Sequence, residues 1–133
     1  MAKVVTISEA ASIGLHAMIL VAKSESLINV VRIADATSSS KHHVAKVMQR
    51  LVKENYLDSQ RGPNGGFSLR IAANDITLLQ IYEAIEGKIE VHECPLEKPI
   101  CPFGKCILNN ITNEMTVRFR EYLNSNTLAD YID

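Results

Sequence analysis

All three cysteines of this 133-residue chain lie in one short stretch, CPLEKPICPFGKC. Cys94, Cys101 and Cys106 follow the spacing C-x6-C-x4-C, and three prolines in the stretch exclude regular helix there. Thiolates presented on such a constrained loop can bind a soft metal, but the absence of a C-x2-C pair argues against a zinc ribbon. A structural disulfide framework is disfavoured, because three cysteines cannot all pair within one chain. A metal site, a thiol–disulfide switch between the outer cysteines, and plain exposed thiols all stay open.

The composition fits one ordinary globular domain, with 47% hydrophobic residues and a net charge of −1. No apolar run reaches the roughly 20 residues that span a bilayer, and no basic leader with a cleavage site is apparent, so we expect a cytoplasmic protein. The charge is uneven. Residues 1–70 hold nine Lys/Arg against five Asp/Glu, and residues 71–133 hold five against ten, which favours a basic face on the first half.

Hydrophobic periodicity and capping residues predict three helices before any strand. Thr6 with Glu9 forms a capping-box pattern for a first helix that ends near Lys23. Asn29 is the expected cap of a short second helix, VVRIADA. Ser40 is the expected cap of a third helix over about 41–55, whose apolar stripe has the spacing i, i+3, i+4, i+7.

The rest of the chain predicts a hairpin and two further helices. YLDSQ and FSLRI alternate as strands do and flank the glycine-proline turn RGPNGG. Thr77 and Gln80 form a capping box for a fourth helix that ends at Gly87. A long helix from about 105 to 123 follows the cysteine loop, and Thr127 caps a last turn.

A short helix, a tight turn, a longer helix and a hairpin, in this order, are typical of a winged helix-turn-helix. Charged residues opposite an apolar stripe usually form only a solvated face, but the ordered combination favours double-stranded DNA as the partner. Lysines and arginines would neutralise phosphates, polar residues near the helix start would read base edges, and the wing would enter the minor groove. The predicted DNA-binding residues are Ser40, Lys41, His42, His43, Lys46, Gln49, Arg50, Arg61 and Asn64.

The last long helix carries an apolar stripe that must be buried on something, either its own domain or a second copy of the chain. A two-fold dimer would place two recognition helices about one DNA turn apart, as palindromic operators require. The predicted dimerisation residues are Leu108, Ile111, Met115, Phe119 and Tyr122.

The wing sequence RGPNGGF, the helix ITLLQIYEAIEG and the cysteine loop directly after it resemble the IscR/NsrR/CymR-type family of bacterial winged-helix transcription regulators. The resemblance covers nearly the whole chain. It implies a mainly α fold with a small β-hairpin wing and a long C-terminal dimerisation helix. We accordingly expect a DNA-binding domain over 1–88, a sensor loop over 89–104 and a dimerisation helix with a C-terminal turn over 105–133. Ala45 stands where several members have a base-reading glutamate, so the operator sequence is not implied.

The resemblance also implies an iron–sulfur cluster, because cluster-binding members use three cysteines of this loop as ligands. Cys94 and Cys106 fit that layout, and Cys101 is displaced by about one position. Some members take the fourth ligand from a histidine three residues after the last cysteine, where this chain has Asn109. Others take it from helix one of the partner subunit, where Ser12 replaces an aspartate. The candidates here are His16 or Glu9, with His92 as a further one.

The expected function is therefore a homodimeric transcription regulator of the repressor type that senses iron–sulfur status, nitric oxide or redox state. The alternative is a cluster-free regulator of the same fold with a thiol or zinc switch, or with a small-molecule or protein effector. A redox enzyme or a cluster carrier is disfavoured, because no Ser/His/Asp set or carboxylate pair has catalytic spacing and neither would need the basic third helix.

Overall fold

The computed structural model describes residues 1–91 and 102–132, so Cys94, Cys101 and His92 lie outside the described residues. Among these residues, no helix is long and apolar enough to cross a membrane. The elements, in chain order, are α1 (Glu9–Lys23), α2 (Val30–Thr37), α3 (Lys41–Lys53), β1 (Leu57–Gln60), β2 (Gly66–Leu69), α4 (Leu78–Glu86) and α5 (Ile111–Ser125), with 3-10 turns at Ala73–Asp75 and Leu128–Tyr131. The expected winged helix-turn-helix with a C-terminal helix is confirmed.

The helix caps explain where the first four helices begin. Asn29 accepts a hydrogen bond from the main-chain N–H of Arg32 at 3.0 Å, and Ser40 accepts one from His43 at 3.1 Å, as predicted. The predicted capping box of α4 is also present. The cap predicted for α1 was wrong. Ser8, directly before the helix, has extended dihedrals and accepts from Ala11 at 3.0 Å, which leaves Thr6 outside the helix.

A single core lies between α1, α3 and α4. The predicted stripe of α3 is buried, with Val44, Met48 and Leu51 at 0% exposure, and Met18 of α1 and Ile81 of α4 meet it from the other side. The third helix ends at Lys53, two residues before the predicted end, because Asn55 takes a left-handed conformation with φ of 69°. The direction of the polar face of α3 is thus fixed by the burial of the opposite face.

The wing is an antiparallel hairpin whose register runs from Leu57 opposite Leu69 to Gln60 opposite Gly66. Its root is also tied to the segment between α1 and α2, because the N–H of Phe67 donates to the carbonyl of Ile28 at 2.9 Å. Phe67 is buried and anchors the hairpin to the core. The second strand of the wing therefore pairs with two chain segments, the first strand and the residue Ile28.

The C-terminal helix differs from the prediction in its start. It begins at Ile111 rather than near residue 105, because Asn109 and Asn110 both have left-handed φ values, 49° and 61°, which no α-helix accommodates. Leu108 therefore precedes the helix. The packing also divides the predicted stripe: Phe119 contacts Tyr82 of α4 edge-to-face, with the ring centroids 5.4 Å apart, while Ile111 at the start of α5 is exposed.

The close approach at Gly66 gives a test of how the wing is held. A β-carbon at Gly66 would lie 2.6 Å from the Ile28 carbonyl oxygen, whereas one at Gly62 would meet nothing within 4 Å, and both glycines have positive φ. We expect Gly66→Ala to lower the free energy of unfolding by about 3 kcal/mol, because a backbone clash adds to dihedral strain. Gly62→Ala should cost about 1 kcal/mol, from strain alone. Urea unfolding of both variants measures the difference, and equal losses would contradict the contact.

Candidate DNA-binding face and cysteine loop

The open face of α3 presents a single stripe of polar side chains. His42, Lys46 and Gln49 are exposed, and their spacing of four and then three residues places them one above the other, opposite the buried stripe. Lys53 continues this stripe in the last turn and is also exposed. The sequence analysis did not include Lys53, although its i+7 spacing from Lys46 indicates it. We call His42, Lys46, Gln49 and Lys53 the open stripe.

Two further predicted DNA contacts, His43 and Arg50, lie on the flank of α3, where each also contacts a protein group. The Nδ1 atom of His43 is 3.3 Å from a carboxylate oxygen of Glu9, at the start of α1. The Nε atom of Arg50 donates to the main-chain carbonyl of Ala84 in α4 at 2.8 Å. Arg50 also lies 3.7 Å from Glu54, an exposed pair that contributes little to stability.

The remaining predicted contacts lie at the ends of the two DNA-binding elements. Lys41 is exposed in the first turn of α3, while the Ser40 hydroxyl caps that turn. Arg61 and Asn64 are exposed at the tip of the wing, where the N–H of Gly65 donates to the carbonyl of Gly62 at 2.9 Å and closes the turn. The structure therefore brings a basic helix face and a wing arginine to the surface of the same domain.

Two of the predicted candidates for the fourth metal ligand, Glu9 and His16, line a groove of about 570 Å³ beside the turn between α2 and α3. Glu9, Ser12 and His16 supply its α1 side. The Nδ1 atom of His16 is 2.7 Å from the Ser12 carbonyl oxygen, and a carbonyl only accepts, so Nδ1 carries the proton. In the neutral ring, Nε2 is then the nitrogen that can bind a metal. Within the described ranges, no three His, Cys, Asp or Glu side chains come close enough together to hold one.

Cys106, the one cysteine that the structure describes, is exposed just before α5. The main-chain N–H of Asn110 lowers the pKa of its thiol, and those of Leu108 and Asn109 act in the same direction. The left-handed conformations of Asn109 and Asn110 form the turn that carries these N–H groups. Because metals bind the thiolate, this environment suits a metal ligand or a reactive thiol.

The predicted dimerisation residues divide into two groups. Met115 and Phe119 are half-buried within their own subunit, where they line an apolar cavity of about 280 Å³ together with Val4, Val5 and Tyr82. Leu108, Ile111 and Tyr122 are exposed by 39%, 47% and 57% of their surface. These three are the apolar residues of the set that remain available to a second copy.

Comparison with known proteins shows which family this chain belongs to. The family model described as Rrf2, iron-dependent transcriptional regulator, matches residues 7–133. The HTH-type transcriptional regulator NsrR of Bacillus subtilis (strain 168) is 31% identical over 108 residues, which cover 80% of this chain and 74% of that protein.

Solved structures agree with the sequence matches. CymR, the global cysteine regulator of B. subtilis, superposes with a TM-score of 0.76 at 27% identity, covering 97% of this chain and 99% of that one. The oxidized form of Staphylococcus aureus CymR gives 0.75 at 26% identity, with coverage of 97% and 99%. The resemblance expected from the wing and the helix after it is thereby confirmed: the chain belongs to the Rrf2 family of transcription regulators.

Proposed function

We propose that this protein is a cytoplasmic, homodimeric repressor that binds a palindromic DNA operator and senses iron–sulfur, nitric oxide or redox state through its cysteine loop. The observation that carries the DNA-binding part is the open stripe of α3 beside the wing arginine, in a chain of the Rrf2 family. All four side chains of the open stripe are exposed to solvent, so the whole stripe is accessible to a ligand.

The dimensions of α3 suit a major groove. The thirteen residues of α3 make a helix about 20 Å long. Its diameter with side chains, about 10–12 Å, matches the width of the major groove, which is about 12 Å. His42 and Gln49 supply groups that can hydrogen-bond base edges, and Lys41, Lys46 and Lys53 supply charges for phosphates. Arg61 and Asn64, which are exposed at the wing tip, would enter the adjacent minor groove.

A homodimer is supported by the surface of the C-terminal segment. Ile111 and Tyr122 are exposed although α5 packs on its own domain through Phe119 and Leu123. An exposed apolar strip of this kind on a helix is typical of a protein–protein contact. A second copy related by a two-fold axis would cover the same residues on both subunits and pair the two DNA-binding heads.

The sensing part of the proposal rests on the cysteine loop. The lowered pKa of the Cys106 thiol suits a residue that binds a metal as the thiolate. Cys94 and Cys101 would supply the second and third thiolates, and Glu9 or His16 of the partner would supply the fourth ligand. A bound iron–sulfur cluster would supply reactivity toward oxidants and nitric oxide, and its ligands would tie the loop to α1. The iron-dependent description of the family model favours a cluster. The similarity to CymR, a cysteine regulator with an oxidized form, favours the alternative of a thiol switch without one.

The DNA-binding face can be tested with single charge removals. Lys46→Ala and Arg61→Ala should each weaken binding about 10-fold and reduce the magnitude of the slope of log K against log salt by about 1.8, because each removes one cation contact with DNA from each of the two subunits. The probe is a duplex from the region around the protein's own gene, selected by gel shift and measured by fluorescence anisotropy. Lys88→Ala removes an exposed charge outside α3 and the wing and should leave both values unchanged. A monomeric protein with no salt-dependent affinity for any duplex would contradict the proposal.

The environment of Cys106 predicts unusual thiol reactivity. In a Cys94→Ser, Cys101→Ser variant, we expect the pH midpoint of Cys106 alkylation by iodoacetamide to be lower in the folded chain than in urea, because the N–H groups around the sulfur stabilise the thiolate. Reaction rates measured between pH 6 and 10 give both midpoints, with roughly 8.5 expected for the unfolded thiol. Equal midpoints would show that the main-chain N–H groups do not act on the sulfur.

The cluster itself is tested by anaerobic purification. We expect a coloured protein with iron and acid-labile sulfide in comparable amounts, and a Cys106→Ser variant that loses most of both, because a thiolate ligand is removed. Absorption spectra and metal and sulfide analysis measure this. A colourless product without iron or sulfide, made with an intact cluster supply, would remove the cluster and leave the thiol switch, while DNA binding is judged separately.

A further inference from the structure

Two helix ends meet at the flank of α3. The start of α1 contributes Glu9, which contacts His43, and the end of α4 contributes the Ala84 carbonyl, which accepts from Arg50. The two ends are also joined to each other, because the Ser8 hydroxyl donates to the Glu86 carboxylate. We call Glu9, His43, Arg50 and the Ala84 carbonyl the flank contacts.

The contact of Arg50 is a directed one. Ala84 lies in the last turn of α4, where main-chain carbonyls have no partner within the helix. A guanidinium that donates to such a carbonyl satisfies it and also lies favourably in the field of the helix C-terminus. Because the bond uses Nε, which is fixed to the side-chain stem, it constrains the position of Arg50 itself and not merely of its charged tip.

The contact of His43 joins α3 to the start of α1. Its Nδ1 atom lies 3.3 Å from a carboxylate oxygen of Glu9, which only accepts, so the contact is favourable when Nδ1 carries a proton. The His43 side chain is 33% exposed, while the Glu9 side chain is 67% exposed, so the imidazole is the more enclosed partner. His43 thus faces α1 from the first turn of α3.

The two contacts together restrict the orientation of α3 more than either contact would alone. His43 and Arg50 are seven residues apart on α3, which corresponds to about 10 Å along the axis. A single anchor would leave the helix free to pivot about it, whereas two anchors on one flank fix both its tilt and its rotation about its axis. The rotation decides which side chains the open stripe presents.

We propose that His43 and Arg50 are positioning residues, which orient the recognition helix through the ends of α1 and α4 and do not themselves contact DNA. This inference rests on the proposed DNA-binding function. It departs from the expectation that both residues bind bases or phosphates, and it assigns to Glu9 a role in orienting α3.

Three substitutions of Arg50 separate positioning from phosphate binding. Glutamine carries an N–H₂ on the same carbon as the arginine Nε, so Arg50→Gln keeps the donor and removes the charge. Arg50→Lys keeps the charge without a donor at that position, and Arg50→Met has neither. We expect Arg50→Gln to bind within about twofold of wild type, and the other two to bind about fivefold more weakly, as for one lost hydrogen bond.

The salt dependence gives a readout that a folding defect does not produce. All three Arg50 variants should keep the wild-type slope of log K against log salt, while Lys46→Gln, the matched control on the open stripe, should lower its magnitude by about 1.8, since the homodimer loses two contacts. The proposal is overturned if Arg50→Lys binds like wild type and both uncharged variants lose affinity and slope together.

His43 offers an independent arm with the same logic. The amide nitrogen of asparagine is bonded to Cγ, as Nδ1 of histidine is, whereas that of glutamine reaches toward the position of Nε2. His43→Asn should therefore bind within about twofold of wild type, and His43→Gln about fivefold more weakly, because only the first keeps the donor toward Glu9. The reverse order would assign His43 to the DNA. A wild-type chain that binds no duplex would defeat the proposed function instead, whatever the order of the variants.

Discussion

Packing of α3 between α1 and α4 sets the direction in which its polar side chains point. Val44, Met48 and Leu51 are fully buried, and truncating a side chain of this kind costs about 2–5 kcal/mol of a total stability of about 5–15 kcal/mol. The apolar stripe therefore cannot rotate away from the core without unfolding the domain. Burial alone, however, tolerates small rotations and tilts, and these are what the polar contacts of the flank restrict.

The same helix end that holds α3 also leads into the cysteine loop. Gly87 ends α4, and the N–H of Ile89 donates to the Glu83 carboxylate at 2.8 Å, so the chain stays attached to the last turn of α4 as it leaves. Ala84, the partner of Arg50, lies in that turn. A displacement of the cysteine loop would therefore be transmitted through the last turn of α4 to Arg50 and α3. Such coupling would regulate DNA binding if ligand binding or oxidation at the cysteines gave the loop two arrangements.

Local patterns predicted the elements well, because each cap involves residues three apart in sequence. Asn29, Ser40 and the box of Thr77 with Gln80 needed no tertiary information. The choice of Thr6 over Ser8 failed because both fit a cap and only the backbone conformation distinguishes them. The sequence also indicated which face of α3 is polar, but not which polar residues stay free. The partner of Arg50 is a carbonyl 34 residues away, and main-chain acceptors leave no pattern in the sequence.

The charge distribution explains how a chain with a net charge of −1 can bind DNA at all. The attraction to phosphates acts within about 10 Å at ordinary salt, so the local charges of α3 and the wing matter more than the sum over the chain. One subunit offers Lys41, Lys46, Lys53 and Arg61, and four cations that each displace one counterion from the duplex correspond to a salt slope of about −3.6. Two subunits on one operator would double this to about −7. A single head with so few cations would bind DNA weakly, because few counterions are released. In the proposed homodimer, the exposed apolar residues of α5 would therefore serve the same function as the open stripe of α3.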